Sequence, residues 1–253
     1  MVPEIGVIGG EGFIGKNLVK TLKGDGITKE TEDSKRLNHY KVLINANGNS
    51  RKGLPEVDPL ADFDLTVRNT LKSVTSYSYD TYIYISSCEV YTGGTHEGAD
   101  LHVPSMSRYG LSKYLAECVV RKYCSRWLIL RLNGPVGPGM KKGPAYDILR
   151  GDKLWINAES RFQFLHTNYI GEFVARALKE KWHNEVFNLT GPDAVSMFDA
   201  MTVLRKTVGY SDDPPIIHRI DVTKANKLLL LPSSRDSLSQ ARRDYEAEFG
   251  VRY

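Results

Sequence analysis

A chain of 253 residues, 41% hydrophobic and 25% charged, is long enough to bury one substantial core with a smaller lobe beside it. Its net charge of +4 is spread along the sequence with no basic run or aromatic-interleaved stripe, which argues against nucleic acid and suits an anionic small ligand. The start, Met1-Val2-Pro3-Glu4, carries no basic leader and the apolar run after it is short, so neither a signal peptide nor a membrane span is expected, and the expected compartment is the cytosol.

The first predicted strand, Glu4 to Ile8, breaks into Gly9-Gly10-Glu11-Gly12-Phe13-Ile14-Gly15 and continues as a helix-like Lys16 to Leu22. Strand, glycine turn and helix stand in the order a dinucleotide site requires. Gly9 predicts the tight turn, Gly12 the approach of backbone to a pyrophosphate and Gly15 close helix–strand packing, with Phe13 and Ile14 between them at the helix start. The next buried strand, Tyr40 to Ala46, arrives early. Only about two dozen residues stand where a strand, a helix, another strand and a crossover would fit, so one unit of a parallel sheet is expected to be lost. Asn45, Ala46 and Asn47 form a small-residue turn at its end.

Asp62 to Ser76 is predicted as a helix whose Phe63, Val67, Leu71 and Val74 recur at helical spacing and are expected in the core. The β-branched and aromatic run Thr81 to Ile85 predicts a strand with Ser86 and Ser87 at its carboxyl end, where an open parallel sheet carries its catalytic groups. A helix follows to about Tyr123, then the strand Trp127 to Arg131. The Pro- and Gly-rich stretch from Gly134 leads into a second lobe, and His166 to Gly191 reads as a helix and strand returning to the main sheet. The expected division is therefore 1–133 with 164–191 for the cofactor domain and 134–163 with 192–253 for a substrate lobe, with substrate in a cleft between them. Cys88, Cys118 and Cys124 lack metal-type spacing and read as reduced thiols, and the six His form no ligand cluster, so no metal site is expected.

Tyr109 and Lys113 stand four residues apart at the start of the long helix, on one face, where both can address one bound molecule. A free tyrosine is a poor base at neutral pH, and a neighbouring cation favours its phenolate. For the isolated spacing a surface pair is the bland alternative; the glycine turn and the serine run before it make the functional reading the stronger.

With those three motifs in order the chain resembles an extended short-chain dehydrogenase/reductase of the NAD-dependent epimerase/dehydratase family, which works on nucleotide-activated sugars. Arg131 to Gly139, Phe164 to Asn168 and Glu185 to Gly191 are similar to further family segments, so the resemblance runs nearly end to end. It implies an α/β fold, a Rossmann-type doubly wound parallel sheet abbreviated in the strand 2–3 region, with a smaller C-terminal substrate lobe. It implies NAD as cofactor, held at the glycine turn, at Asn45, Ala46 and Asn47, and by Lys113 at the nicotinamide ribose. An acidic residue at the tip of strand two would take the adenosine ribose. Glu30, Glu32 and Asp33 are candidates, Asp33 being preferred by position, while Lys35 and Arg36 beside them leave NADP open. Ser87, Tyr109, Lys113 and Glu89 are the implied catalytic residues, with Ser87 and Tyr109 also contacting the sugar, and a nucleotide-diphosphate sugar is the implied partner. A homodimer through the Tyr109 helix and its neighbour is implied as well.

The run Ser86-Ser87-Cys88-Glu89-Val90-Tyr91 keeps Glu89, the base candidate of sugar dehydratases, but has Cys88 where their acid stands. Gly134 replaces an Asn that touches the diphosphate, leaving Asn133 to serve, and Phe162-Gln163 replace Arg-Asp, leaving Arg161 one position away. The expectation is an NAD-dependent nucleotide-sugar epimerase working through a transient 4-keto sugar. The alternatives are a 4,6-dehydratase or 4-ketoreductase on the same substrate class, or a catalytically silent cofactor-binding relative.

Overall fold

The computed structural model describes residues 4–217 and 219–251; Met1, Val2 and Pro3, read above for a leader, lie outside the described residues. In chain order the elements are β1 (Ile5–Ile8), α1 (Phe13–Leu22), β2 (Asp25–Ile27), α2 (Glu32–Lys35), β3 (His39–Asn45), α3 (Leu54–Val57), α4 (Pro59–Phe63), a π-helical turn (Asp64–Arg68), α5 (Asn69–Ser76) and β4 (Ser78–Ser87). A 3-10 turn (Cys88–Val90) and another (Val103–Ser105) precede α6 (Arg108–Tyr123), β5 (Trp127–Leu132), β6 (Pro135–Val136), α7 (Pro144–Arg150), β7 (Arg161–Phe162), β8 (Leu165–His166) and α8 (Thr167–Lys179). The chain closes with β9 (Glu185–Leu189), β10 (Val195–Ser196), α9 (Met197–Leu204), α10 (Thr223–Leu228) and α11 (Ser234–Phe249). Among the described residues no helix is long and apolar enough to cross a membrane.

Two compact units divide the chain, one of Met1–Leu132 with Gly171–Asn188, the other of Asn133–Ile170 with Leu189–Tyr253. The first is built on a six-stranded sheet ordered β2-β1-β3-β4-β5-β9, flanked by helices. Registers from β2 through β5 are all parallel, including Val7 opposite Ile44 and Ile83 opposite Leu128. Strands covered by helices on both faces need apolar side chains in both directions, and Leu43, Ile44, Tyr82, Ile83, Leu128 and Ile129 are fully buried. The order reverses direction beside β1, which places a switch point between β1 and β3, where open α/β sheets bind ligands. Among the described residues no strand lies outside β2 in the sheet, and β2 is three residues long, so the abbreviation read from the sequence falls on this edge.

The segment expected as one helix from Asp62 begins earlier, at α4, where the Asp58 carboxylate caps the Ala61 N–H at 2.9 Å. The apolar face expected there is corrected by the structure. Val67 and Val74 are buried, but Phe63 and Leu71 are exposed, while Asp62, Thr66, Thr70 and Ser73 point inward. The π turn inserts a wider turn into the ladder and rotates the face, and the inward polar groups each find partners. Ser73 shares a hydrogen bond with the Tyr82 hydroxyl at 2.5 Å, and Thr70 donates to the Thr66 carbonyl at 2.7 Å.

In the second unit β6 pairs with β8 in parallel and β7 with β10 antiparallel. Gln163 braces it, donating to the Gly191 and Ile220 carbonyls at 2.7 and 2.9 Å and accepting the Ile220 N–H at 2.6 Å. Gly134, with φ 54°, stands where a Cβ would lie 2.0 Å from the backbone carbonyl oxygen of Gln163, so the position needs glycine whatever side chain stands at 163. His166, fully buried, meets Asp244 of α11 at 2.6 Å.

Candidate active site

The glycine turn leaves the carboxyl end of β1 and folds against two neighbours. Gly9 and Gly10 donate their N–H groups to the Ile27 carbonyl at the end of β2, at 3.0 and 3.3 Å. Gly9 has φ 77°, and a Cβ on it would lie 3.0 Å from the Asn47 N and 3.1 Å from the Ala46 carbonyl oxygen. A Cβ on Gly15 would lie 2.0 Å from the Gly9 oxygen, so α1 can begin this close to the turn only with glycine there. Gly12 is the N-cap, and among the described residues no side chain caps the α1 N–H groups. A glycine cradle that any Cβ would fill, opening onto helix N–H donors, fits the pyrophosphate of a dinucleotide. Phe13 and Ile14 are the first residues of α1.

Asn45, at the end of β3, is buried; its Oδ1 accepts the Asn47 N–H at 3.0 Å. Gly48 follows, and a Cβ there would come within 3.4 Å of Lys113 Nζ. Gly9, Ala46, Asn47 and Lys113 therefore line one continuous run along the carboxyl ends of β1 and β3. Asp33 does not join it. It lies on α2, six positions past the end of β2, with its side chain 93% exposed and ion-paired to Arg36 at 3.0 Å. Glu30 stands nearer the strand end, and the Thr28 hydroxyl, at 2.7 Å, lowers its pKa. Lys35 is bound to Asp25 and to the Gly26 carbonyl, and Arg36 also to Glu32.

The candidate reacting groups come from β4 and α6. Ser87 ends β4, and its Oγ accepts the Glu89 N–H at 3.2 Å, fixing the turn that follows. Ser107 caps α6 by accepting the Gly110 N–H at 3.0 Å, which starts the helix one residue before Tyr109. A Cβ on Gly110 would lie 2.1 Å from the Glu89 carbonyl oxygen, so this glycine lets α6 approach the turn. Tyr109 is buried, and Lys113, also buried, holds its Nζ 5.8 Å from the Tyr109 ring centroid and 5.7 Å from that of Tyr84. Ser87, Tyr109 and Lys113 thus come together as the spacing suggested.

The electrostatics run against the expectation of a lowered tyrosine. Among this chain's own groups, burial pushes the Tyr109 phenol well up, the carboxylates of Glu89 and Asp62 add to the rise, and the hydrogen bond with Ser87 opposes it. The chain by itself therefore keeps the phenol protonated. Cys88 is buried with its thiol donating to the Arg131 carbonyl at 3.3 Å, and burial pushes it far up as well. It behaves as core rather than as an acid.

Four polar residues of this site carried no sequence signal that would have found them. Lys52, on the loop after β3, pairs with Glu89 at 2.6 Å. Asp62, fully buried, accepts from Asn49 Nδ2 at 2.7 Å and from Ser112 Oγ at 2.5 Å, tying that loop, α4 and α6 together. Asp62 begins the predicted helix but is not among the residues expected there in the core. In the second unit, Arg161 lies exposed on β7, and the Asn133 amide nitrogen is buried without a hydrogen-bond partner among the described residues.

The chain resembles solved structures over nearly its whole length. A UDP-galactose 4-epimerase is 22% identical with a TM-score of 0.79, covering 97% of this chain and 99% of that one. A UDP-glucose 4-epimerase of Thermotoga maritima, solved with UDP-glucose, is 19% identical at 0.80, covering 96% and 99%. A UDP-glucuronic acid 4-epimerase of Bacillus cereus, solved with UDP-glucuronic acid and NAD, is 17% identical at 0.78, covering 97% and 99%. At these identities the likeness speaks for the fold. No curated protein sequence matches. The sequence pattern of the NAD dependent epimerase/dehydratase family matches residues 36–190, more than half of the chain, and the protein belongs to that family.

Proposed function

We propose that the chain is an NAD-dependent nucleotide-sugar epimerase that inverts a sugar carbinol, C4 by preference, through a transient 4-keto sugar. The observation that carries this reading is the convergence of Ser87, Tyr109 and Lys113 beside a buried, hydrogen-bonded Cys88. Elimination of water needs a proton donor where Cys88 stands, and a thiol pushed far up and turned to a backbone carbonyl is a poor one. NAD, when bound, supplies the hydride acceptor and returns the hydride.

Tyr109 Oη, ionised when Lys113 and the positive charge that NAD would carry offset its burial, takes the proton from the C4 hydroxyl as that carbon is oxidised, and gives it back on reduction. Ser87 Oγ donates a hydrogen bond to the same sugar oxygen. Lys113 supplies positive charge at the phenol and is placed to reach ribose hydroxyls from beside Gly48. The sugar is oxidised and then reduced, so mass is unchanged. NAD is favoured over NADP because Lys35 and Arg36, the candidates for a 2′-phosphate, are engaged by Asp25, Glu32 and Asp33. The ribose partner is Glu30 in preference to Asp33, for its position after β2. Asn133 and Arg161 are assigned to the diphosphate, and the exposed Leu71 and Leu115 on α5 and α6 support a homodimer through those helices.

Incubation of the purified protein with UDP-, dTDP-, GDP- and CDP-sugars, read by mass and NMR, tests the reading. An epimer of unchanged mass is expected; a product short of one water overturns it in favour of dehydration. Tyr109→Phe should abolish hydride transfer with NAD still bound, and unaltered turnover in that variant refutes the mechanism.

A further inference from the structure

Glu89 is built into the reacting end of the site. Its N–H is bound by Ser87, its carbonyl lies against Gly110 in the first turn of α6, and its carboxylate, 21% exposed, is taken by Lys52 Nζ at 2.6 Å. The Lys52 ammonium is more exposed, at 63%, but the loop that carries it is fixed. Asn49, buried, accepts the Arg51 N–H at 2.7 Å and donates to the Arg51 carbonyl at 2.9 Å and to Asp62 at 2.7 Å. A loop clamped on both sides of its backbone to a buried carboxylate presents Lys52 to one place.

We infer that Lys52 is a positioning residue for proton transfer, its ammonium holding the Glu89 carboxylate so that this negative charge bears less on the Tyr109 phenol. The inference rests on the proposed role of Tyr109 as proton acceptor. The groups that face the phenol are Glu89 from the turn after β4, Asp62 from α4, Lys113 from α6, and the Ser87 and Tyr84 hydroxyls from β4. From α3, Glu56 is paired with Arg108 at 3.1 Å, and on the π turn Asp64 is paired with Arg68 at 3.1 Å. Of the two carboxylates acting on Tyr109, Asp62 is held by neutral donors and Glu89 by a cation. Only the Glu89 charge is offset by a side chain that can be removed without opening the core.

The sign follows. Lys52→Met leaves the Glu89 charge uncompensated and the phenol holds its proton more tightly; Glu89→Gln removes the charge and loosens it. The acid limb of the pH profile for single-turnover nicotinamide reduction should move up by about 0.5 to 1 pH unit in Lys52→Met and down by a similar amount in Glu89→Gln. In the Glu89→Gln background, Lys52→Met should shift it by less than half as much. A second readout does not need turnover: the ¹³Cζ resonance of Tyr109 in the NAD-loaded protein, assigned by its loss in Tyr109→Phe, should show the same order of midpoints. Equal Lys52→Met effects with and without Glu89, a rise in KM alone, or a Glu89→Gln midpoint no lower than the unaltered protein's overturns the inference. Loss of turnover in Tyr109→Phe alongside any of these results leaves the epimerase reading standing and this one refuted.

Discussion

The pair Glu117–Arg131 is the most deeply buried ion pair among the described residues. Glu117 is fully buried on α6 and Arg131 is 1% exposed on β5. Their contact is bidentate, Nε to Oε1 at 3.0 Å and Nη2 to Oε2 at 2.7 Å, and Ser86 Oγ donates to the same carboxylate at 2.6 Å. The guanidinium also lies 4.9 Å from the Tyr91 ring centroid. Glu117→Gln keeps the volume, removes the charge and sets an amide donor against a guanidinium that stays charged. Two unit charges about 4 Å apart attract by about 4 kcal/mol at an effective dielectric of about 20. Stranding one member of a buried pair costs about 3–5 kcal/mol, and the weakened Ser86 bond adds about 1 kcal/mol. Arg121, 42% exposed and 3.5 Å from Glu117, does little to offset it. We expect Glu117→Gln to lose about 4 kcal/mol in urea unfolding followed by tryptophan fluorescence, which Trp127 at the start of β5 reports. The double variant Glu117→Leu/Arg131→Met should recover more than half of that loss, because an apolar pair of similar volume leaves no buried charge. A loss below about 1 kcal/mol, or a double variant as unstable as the sum of its single changes, refutes the reasoning.

Two smaller effects follow from the same kind of accounting. Ser112→Ala takes one of the two donors from the buried Asp62 carboxylate and should cost about 1–3 kcal/mol in the same unfolding experiment; a loss under about 0.5 kcal/mol would mean the bond contributes nothing net. Gly15→Ala puts a methyl group 2.0 Å from the Gly9 oxygen, so the turn must shift; NAD affinity measured by calorimetry should fall at least about tenfold, and unchanged affinity would sink the phosphate-cradle assignment.

Backbone logic was legible in the sequence and polar burial was not. Strand, glycine turn and helix carry their own punctuation, so β1, Gly9 to Gly15 and α1 could be read directly, as could Ser87 at the end of β4 and Tyr109 and Lys113 on one helical face. Periodicity fails where a helix is polar on its inner side. Asp62, Thr66 and Ser73 face inward because Asn49, Ser112 and Tyr82 satisfy them across other segments, Thr70 donates to the Thr66 carbonyl, and no local pattern reports a partner 13 or 50 residues away. The π turn compounds this, since one added residue per turn moves Phe63 and Leu71 out of the face their spacing assigns. The sign of the Tyr109 shift was hidden for the same reason: Lys113 is visible four residues on, whereas burial and the Glu89 and Asp62 charges are properties of the folded site.

The same distinction explains how the sheet can be short at one edge while Ser87, Tyr109 and Lys113 still come together. The loss falls beyond β2, at the edge of the sheet, and the switch point lies between β1 and β3. Gly9 meets Ala46 and Asn47 there, Gly48 meets Lys113, and Ser87 and Tyr109 come from β4 and α6 on the far side of β3. None of these contacts runs through the segment 28–38, which holds Glu30, Asp33 and the Lys35 and Arg36 ion pairs. On the proposed reading, shortening that segment alters the adenosine end alone, where a ribose needs one acceptor and Glu30 follows the strand closely enough to be it. The second unit is constrained differently: a Cβ at position 134 would lie 2.0 Å from the backbone oxygen of residue 163 whatever side chain stands there, while the Gln163 amide is spent on the Gly191 and Ile220 carbonyls, so the proposed diphosphate contacts fall to Asn133 and Arg161.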